Sequence, residues 1–240
     1  MDIVNSKVVV VGGSSGMGRA VAAAAHAKGA EVVIVGRSLK RLQRVASELA
    51  TDRIETIEAN VTHEDDVQRL FEQVGSYSHL VVTSAADLSY QPIRELDLDA
   101  ARRTIDSKLI AALLLAKHGA AHIDKRGSIT FTSGIAAERP LPTGVLVAAV
   151  NGALFSLVYG LAIALAPVRV NTISPGWIDT PLWETAFGAK KSAMFEQMSQ
   201  RLPAGHIGRP EDIANAALFL MENEFTTGIV LPVDGGHRLV

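Results

Sequence analysis

The sequence predicts a single α/β domain built on a doubly wound sheet of about seven parallel strands with helices on both faces. Three observations carry that expectation. Short β-branched runs alternate with longer helical patterns along the whole of residues 1–240. Several of those runs are apolar at successive positions, as strands covered on both faces are. A glycine-rich turn joins the first strand to the first helix, where such folds receive phosphate groups.

The elements follow in order. Lys7-Val8-Val9-Val10-Val11 is a continuous apolar strand ending in glycines, and a helix follows near 16–28. Glu31-Val32-Val33-Ile34-Val35 repeats the theme, with a helix near 38–50. The third strand is 54–57 and the third helix 63–75. His79-Leu80-Val81-Val82-Thr83 is the fourth strand, followed by one long helical pattern over 97–124. Ser128-Ile129-Thr130-Phe131-Thr132 leads to a helix over 144–166, and 168–171 to an irregular excursion over 176–208. A last helix over 211–222 precedes the strand 228–231. Ligands in this architecture bind outside the carboxyl ends of the strands, so the excursion is placed to cover a substrate.

Composition narrows the function. The 240 residues are 48% hydrophobic and 20% charged, which suits one domain with a large core. A net charge of -2 and no cluster of lysine or arginine argue against a nucleic-acid partner. The absence of cysteine excludes disulfides, thiolate ligands and a cysteine nucleophile. No basic segment followed by an apolar one opens the chain, and the longest apolar run, Leu154 to Pro167, is too short to cross a bilayer. A cytoplasmic protein is expected.

The turn reads Gly12-Gly13-Ser14-Ser15-Gly16-Met17-Gly18. Gly12 permits the tight turn, Gly16 lets backbone approach a pyrophosphate, and Gly18 lets the helix pack closely. A glycine-rich turn by itself also suits an ordinary tight βα turn; its position between first strand and first helix is what points to a dinucleotide. After the second strand, Gly36 stands where a residue binding the ribose hydroxyls of NAD(H) would be acidic. Arg37 beside it either pairs with a 2′-phosphate or stands solvated, as Lys40, Arg41 and Arg44 are expected to. NADP(H) is the favoured cofactor.

The G-x-x-x-G-x-G spacing resembles that of the short-chain dehydrogenase/reductase family. Asn171-Thr172-Ile173-Ser174-Pro175-Gly176 with Thr180-Pro181 is similar to the family's loop facing the nicotinamide. Gly208-Arg209-Pro210-Glu211-Asp212-Ile213-Ala214 and Thr227-Gly228 with Val233-Asp234-Gly235-Gly236 resemble its later motifs. The resemblance implies that Ser14, Ser15, Met17, Asn60, Val61, Ser84, Ala85, Ala86, Pro175, Gly176 and Ile178 join the glycines and Arg37 around the cofactor. It also exposes departures. The family's N-N-A-G is Thr83-Ser84-Ala85-Ala86, and its acidic residue near the adenine is Asn60. Its catalytic serine is Ser133. Its tyrosine and lysine positions, set by the register of Asn151-Gly152-Ala153-Leu154, hold Leu146 and Val150. Its helical asparagine falls on Lys108.

Leucine cannot donate a proton and valine supplies no charge, and loss of a general acid typically costs ~10²–10⁴-fold in rate. Lys108 is the one compensating cation. Either desolvation lowers its pKa so that it replaces the missing donor, with Ser133 orienting the carbonyl, or it points to solvent. Tyr90 is a weaker candidate, Tyr77 lies at the wrong end of the sheet, and Tyr159 is roughly 20 Å along its helix from Leu146. His118, His122, Asp87, Glu138 and His206 show no metal or triad spacing, so no metal is expected. Three functions remain in view: an oxidoreductase on a small carbonyl or alcohol, a dinucleotide-binding pseudoenzyme acting as sensor or scaffold, and other chemistry in the same pocket. Helices around 100–122 and 144–166 are apolar on more than one face, which predicts a homodimer or homotetramer. Trp177, Trp183, Phe187, Met194, Phe195 and Met198 form either apolar walls of the substrate pocket or the packing of a lid on itself.

Overall fold

A computed structural model of the chain describes residues 3–49, 53–83 and 88–240, with all side chains there except those of 185–187. The strands are β1 (Lys7–Val11), β2 (Glu31–Gly36), β3 (Ile54–Glu58), β4 (Tyr77–Val82), β5 (Ile123–Thr132), β6 (Arg169–Pro175) and β7 (Val230–Val233). They form one seven-stranded sheet in the order β3-β2-β1-β4-β5-β6-β7, with every neighbouring pair parallel. The chain winds outward from β1 to β3, then returns to the other side of β1 as β4. That reversal opens a crevice at the carboxyl ends of β1 and β4.

The helices are α1 (Gly16–Ala27), α2 (Leu39–Glu48), α3 (Glu64–Val74), α4 (Leu98–Ile105), α5 (Ala111–Gly119), α6 (Val145–Ala164), α7 (Pro181–Phe187), α8 (Lys191–Arg201) and α9 (Pro210–Glu222). Side chains alternate along a strand, so β1 feeds two cores. Val8 and Val10 pack with Val21 and Ala25 of α1, Leu42 of α2 and Ala217 of α9. Val9 and Val11 pack with Leu70 and Phe71 of α3, Leu115 of α5 and Leu154 of α6. Each fully buried Val or Leu contributes roughly 1.5–3 kcal/mol of transfer free energy, which makes this two-sided burial the main force holding the sheet.

Three expectations need correction. The pattern over 97–124 is one continuous helical stretch only from Leu98 to Gly119, with a shift of hydrogen-bond register in its middle. A π-turn over Asp106–Ile110 lies between α4 and α5, and Ile123 and Asp124 already belong to β5. Gly119, the last residue of α5, leaves no room for a side chain: a Cβ there would lie 2.6 Å from Tyr77 Oη and 2.8 Å from Phe71 Cζ. Tyr77 Oη donates to Gly119 O at 3.0 Å, taking one of the helix's last carbonyls. Next, the excursion over 176–208 holds two helices, α7 and α8. Its base is pinned by a bridge between Ile178 and Gly208, with Asp179 N donating to Gly208 O at 2.8 Å. Finally, the apolar segment is longer than the run from Leu154. α6 has 20 residues, and by length and composition alone it could cross a membrane. Here one side of it, Val147, Val150, Leu154 and Val158, is buried within the domain.

Candidate active site

The crevice contains a cleft of about 450 Å³ whose floor is the glycine turn, with Gly12, Ser14, Ser15, Gly16, Met17 and Gly18 all lining it. Gly12 has φ 87° and Gly16 φ 52°, a region that side-chain-bearing residues rarely adopt. A Cβ on Gly18 would lie 2.3 Å from Gly12 O and 2.5 Å from Thr83 Oγ1. The third glycine therefore lets α1 approach the turn itself. Ser15 makes no side-chain cap, so the first N–H groups of α1 have no side-chain acceptor there and face an anion-sized space.

Arg37 lines the cleft at the end of β2, and so does Arg41. Arg41, expected to be solvated, instead reaches the cleft from the first turn of α2. Arg44 pairs with Glu48 at 3.6 Å, which also takes Arg19 at 3.0 Å. Asn60 and Val61 line the cleft as expected, together with Thr62. Asn60 Oδ1 accepts from Thr62 N at 3.3 Å and Thr62 Oγ1 at 2.9 Å, and its Nδ2 lies 3.4 Å from His63 Nε2. From α4 and the π-turn come Arg103, Asp106 and Ser107, none of which the sequence reading singled out as cleft residues. A floor with glycine at 12, 16 and 18, helix N–H donors and two guanidinium groups fit a dinucleotide that carries an extra phosphate.

Pro175, Gly176 and Ile178 do not line this cleft; Thr180, Pro181 and Leu182 do. A Cβ on Gly176 would lie 2.6 Å from Asp234 Cα, so this glycine serves the packing of β6 on the C-terminal loop. Ile178 lines a separate cavity of about 310 Å³ with Trp177, His206 and Asp234. Ser84, Ala85, Ala86 and Asp87 lie outside the described residues.

At the end of β5, Ser133 is buried. Its Oγ donates to Asn151 O at 2.9 Å and its N to Ile173 O at 2.8 Å. Leu146 is half-buried in the first turn of α6, and Val150 is buried one turn later. Lys108 sits in the π-turn with 6% exposure, so it points inward. Its Nζ donates to Thr132 O at 2.7 Å and Ser133 O at 3.3 Å. Among the described residues no carboxylate forms an ion pair with it, and burial pushes its pKa down to about 8. It does not line the cleft itself, whereas its neighbour Ser107 does.

Other donors are committed or distant. Tyr77 spends its hydroxyl on Gly119, Tyr159 is exposed, and His118 lies 2.8 Å from Glu64. Among the described residues no group of three or more His, Asp or Glu could hold a metal. The excursion's aromatics pack on one another. Trp177 and Trp183 stack at 4.5 Å, and Phe195 meets both edge-on. Met194 and Met198 complete this small core, and Lys191 ties it down through Asp179 at 2.7 Å and Glu184 at 3.4 Å. They are the lid's own core; the side chain of Phe187 lies outside the described ones.

The comparisons agree with this architecture. A family profile described as "Enoyl-(Acyl carrier protein) reductase" matches residues 11–238. The short-chain dehydrogenase/reductase fsr5 of Gibberella fujikuroi is 30% identical over 99% of this chain and 96% of its own length. The solved structure of MalC Reductase/Diels-Alderase from Malbranchea aurantiaca has a TM-score of 0.93 at 27% identity, covering 100% of this chain and 99% of that one. A small-chain dehydrogenase solved in complex with NADPH has a TM-score of 0.83 at 30% identity, covering 98% of this chain and 100% of that one. The chain belongs to the short-chain dehydrogenase/reductase family.

Proposed function

We propose that the protein is an NADP(H)-dependent oxidoreductase acting on a carbonyl or alcohol, with a proton donor other than the family's tyrosine. The observation that carries the reading is the pair Arg37 and Arg41 lining a cleft floored by the glycine turn. The N–H groups of the turn and of α1 hold the pyrophosphate, and the two arginines hold the 2′-phosphate through charge-assisted hydrogen bonds. The NADPH complex of a 30% identical relative supports the same assignment. When bound, the cofactor supplies or accepts a hydride at its nicotinamide.

On the catalytic side, Leu146 and Val150 fill the family's tyrosine and lysine positions and offer only apolar surface. Lys108 takes over proton transfer. Two of its three N–H donors hold the carbonyls of Thr132 and Ser133; the third is uncommitted, and to meet a substrate oxygen the buried ammonium has to swing toward the cleft that Ser107 lines. A pKa near 8 suits an acid working near neutrality. Ser133 orients the substrate once its hydroxyl turns from Asn151 O. One observation favours a second reading, a cofactor-binding protein without turnover: both Lys108 and Ser133 already have backbone partners. The name MalC Reductase/Diels-Alderase supports a third, chemistry beyond hydride transfer in the same pocket.

The test follows NADPH binding by calorimetry and its oxidation by absorbance against a panel of carbonyls. Turnover that Lys108→Met eliminates while NADPH affinity persists supports the proposal. Unchanged turnover in that variant removes Lys108 from the chemistry, and tight binding without oxidation on any carbonyl favours the sensor. We further propose a cytoplasmic homodimer or homotetramer, in which a second copy, rather than lipid, covers the exposed side chains of Ile110 just before α5, Leu113 of α5, and Tyr159 and Ile163 of α6. Light scattering on the wild type and on Ile163→Glu checks this; a monomeric wild type refutes it.

A further inference from the structure

We propose that Asp106 and Arg103 on the α4 wall read the adenine of the cofactor, in place of the β3 side of the cleft. This rests on the NADP(H) reading and assigns the residues of one end of that site. On the β3 side the Asn60 side chain is already engaged. Position 60 is an asparagine whose Oδ1 takes two donors from Thr62 and whose Nδ2 faces His63. Asp66 accepts from Asn60 N at 3.0 Å through Oδ2 and from Arg69 through Oδ1, and it does not line the cleft.

The α4 wall offers a second set of groups. Arg103, Asp106 and Ser107 follow helical spacings of three and four, so they share one face, and all three line the same cleft as Asn60 and Val61. Asp106 is exposed, and its carboxylate only accepts hydrogen bonds. The adenine edge presents an exocyclic amine that only donates. Arg103 presents a planar guanidinium, which stacks on aromatic rings, and its contact with Asp97 is a long 4.0 Å. Arg37 and Arg41 meanwhile stand at the phosphate end of the same cleft. Charge therefore alternates along the cleft as it does along the adenosine 2′-phosphate: cations for the phosphate, an acceptor for the amine, a flat cation for the ring face.

The experiment compares NADPH with its hypoxanthine analogue, in which a keto oxygen replaces the amine, using calorimetry on the full-length protein. The wild type is expected to bind NADPH ~10-fold or more tightly than the analogue, because a hydrogen bond to a charged group is gained with one and lost with the other. Asp106→Asn should erase that preference, since an amide can donate to the keto oxygen. Arg103→Leu should weaken both ligands equally, by roughly 3–5-fold. Equal affinities in the wild type, or an undiminished preference in Asp106→Asn, overturn the proposal while leaving NADPH binding intact. A wild type that binds no NADPH overturns both this proposal and the reading beneath it.

Discussion

Replacing Lys108 by Met tests whether a buried, uncompensated ammonium lies at the end of β5. The folded-state pKa is about 8 against an ordinary 10.5, and desolvation is the cause. That difference corresponds to ~3 kcal/mol of stability forgone while the lysine is protonated in both states. The folded value lies below the unfolded one. Between pH 8 and 10.5 the unfolded chain therefore binds more protons, and stability rises with pH. The slope is at most ~1.4 kcal/mol per pH unit. Methionine removes the penalty but leaves the carbonyls of Thr132 and Ser133 without this donor, at ~1–3 kcal/mol each if they find no other. The two effects oppose each other at pH 7, so the difference in slope is the diagnostic quantity. Urea unfolding followed by circular dichroism at pH 7, 8, 9 and 9.5 measures it, at constant ionic strength. The wild type should gain stability relative to Lys108→Met across that range. Parallel curves would refute the placement of a charged lysine in the core.

Three further outcomes are expected. His79 is fully buried in β4 with Nδ1 2.9 Å from Ser128 Oγ, and desolvation and then Arg169 pull its pKa to about 4. Stability should accordingly fall as pH drops from 6.5 to 4, by up to ~3 kcal/mol, and acid titration of His79→Leu/Ser128→Ala should be flatter there. Gly18→Ala drives a Cβ against the backbone of Gly12, so stability should drop ~1–3 kcal/mol and NADPH affinity at least ~10-fold. Calorimetry that finds unchanged affinity would show that the turn does not hold the cofactor. Leu146→Tyr/Val150→Lys returns an acid and its supporting cation to the first two turns of α6. Carbonyl reduction should rise ~10²–10⁴-fold in steady-state assays, and no gain would mean that these positions are not the family's catalytic pair.

The sheet was readable because its signals are local. Apolar runs such as Val8–Val11 have to be strands covered on both faces, and the glycines at 12, 16 and 18 have few other uses. The interruption at Asp106–Ile110 left no such mark, because a π-turn keeps the composition of a helix and is set by what the helix packs against. The direction of Lys108 was hidden with it. Arg41, Arg103 and Asp106 were missed for a related reason: a charged residue on a helix reads as solvated until the facing wall is known. The helices of the excursion escaped because Trp177, Trp183 and Phe195 pack on one another and leave no apolar stripe aimed at the main core.

The sheet order explains how one half of the site can change without the other. Gly12–Gly18 and Arg37 lie on β1, α1 and β2, on one side of the reversal between β1 and β4. Ser133, Leu146 and Val150 lie on β5 and α6, on the other side, and Lys108 stands in the turn before α5. Leu146 and Val150 therefore lie apart from the phosphate end, on the other side of the reversal. On the far side, packing alone does not ask for Lys108. A methionine would fill similar volume without the cost of a buried ammonium, and buried charges without a counter-charge are rare in interiors. The buried ammonium of Lys108, held by the carbonyls of Thr132 and Ser133, is the feature on this side of the sheet that apolar packing does not explain.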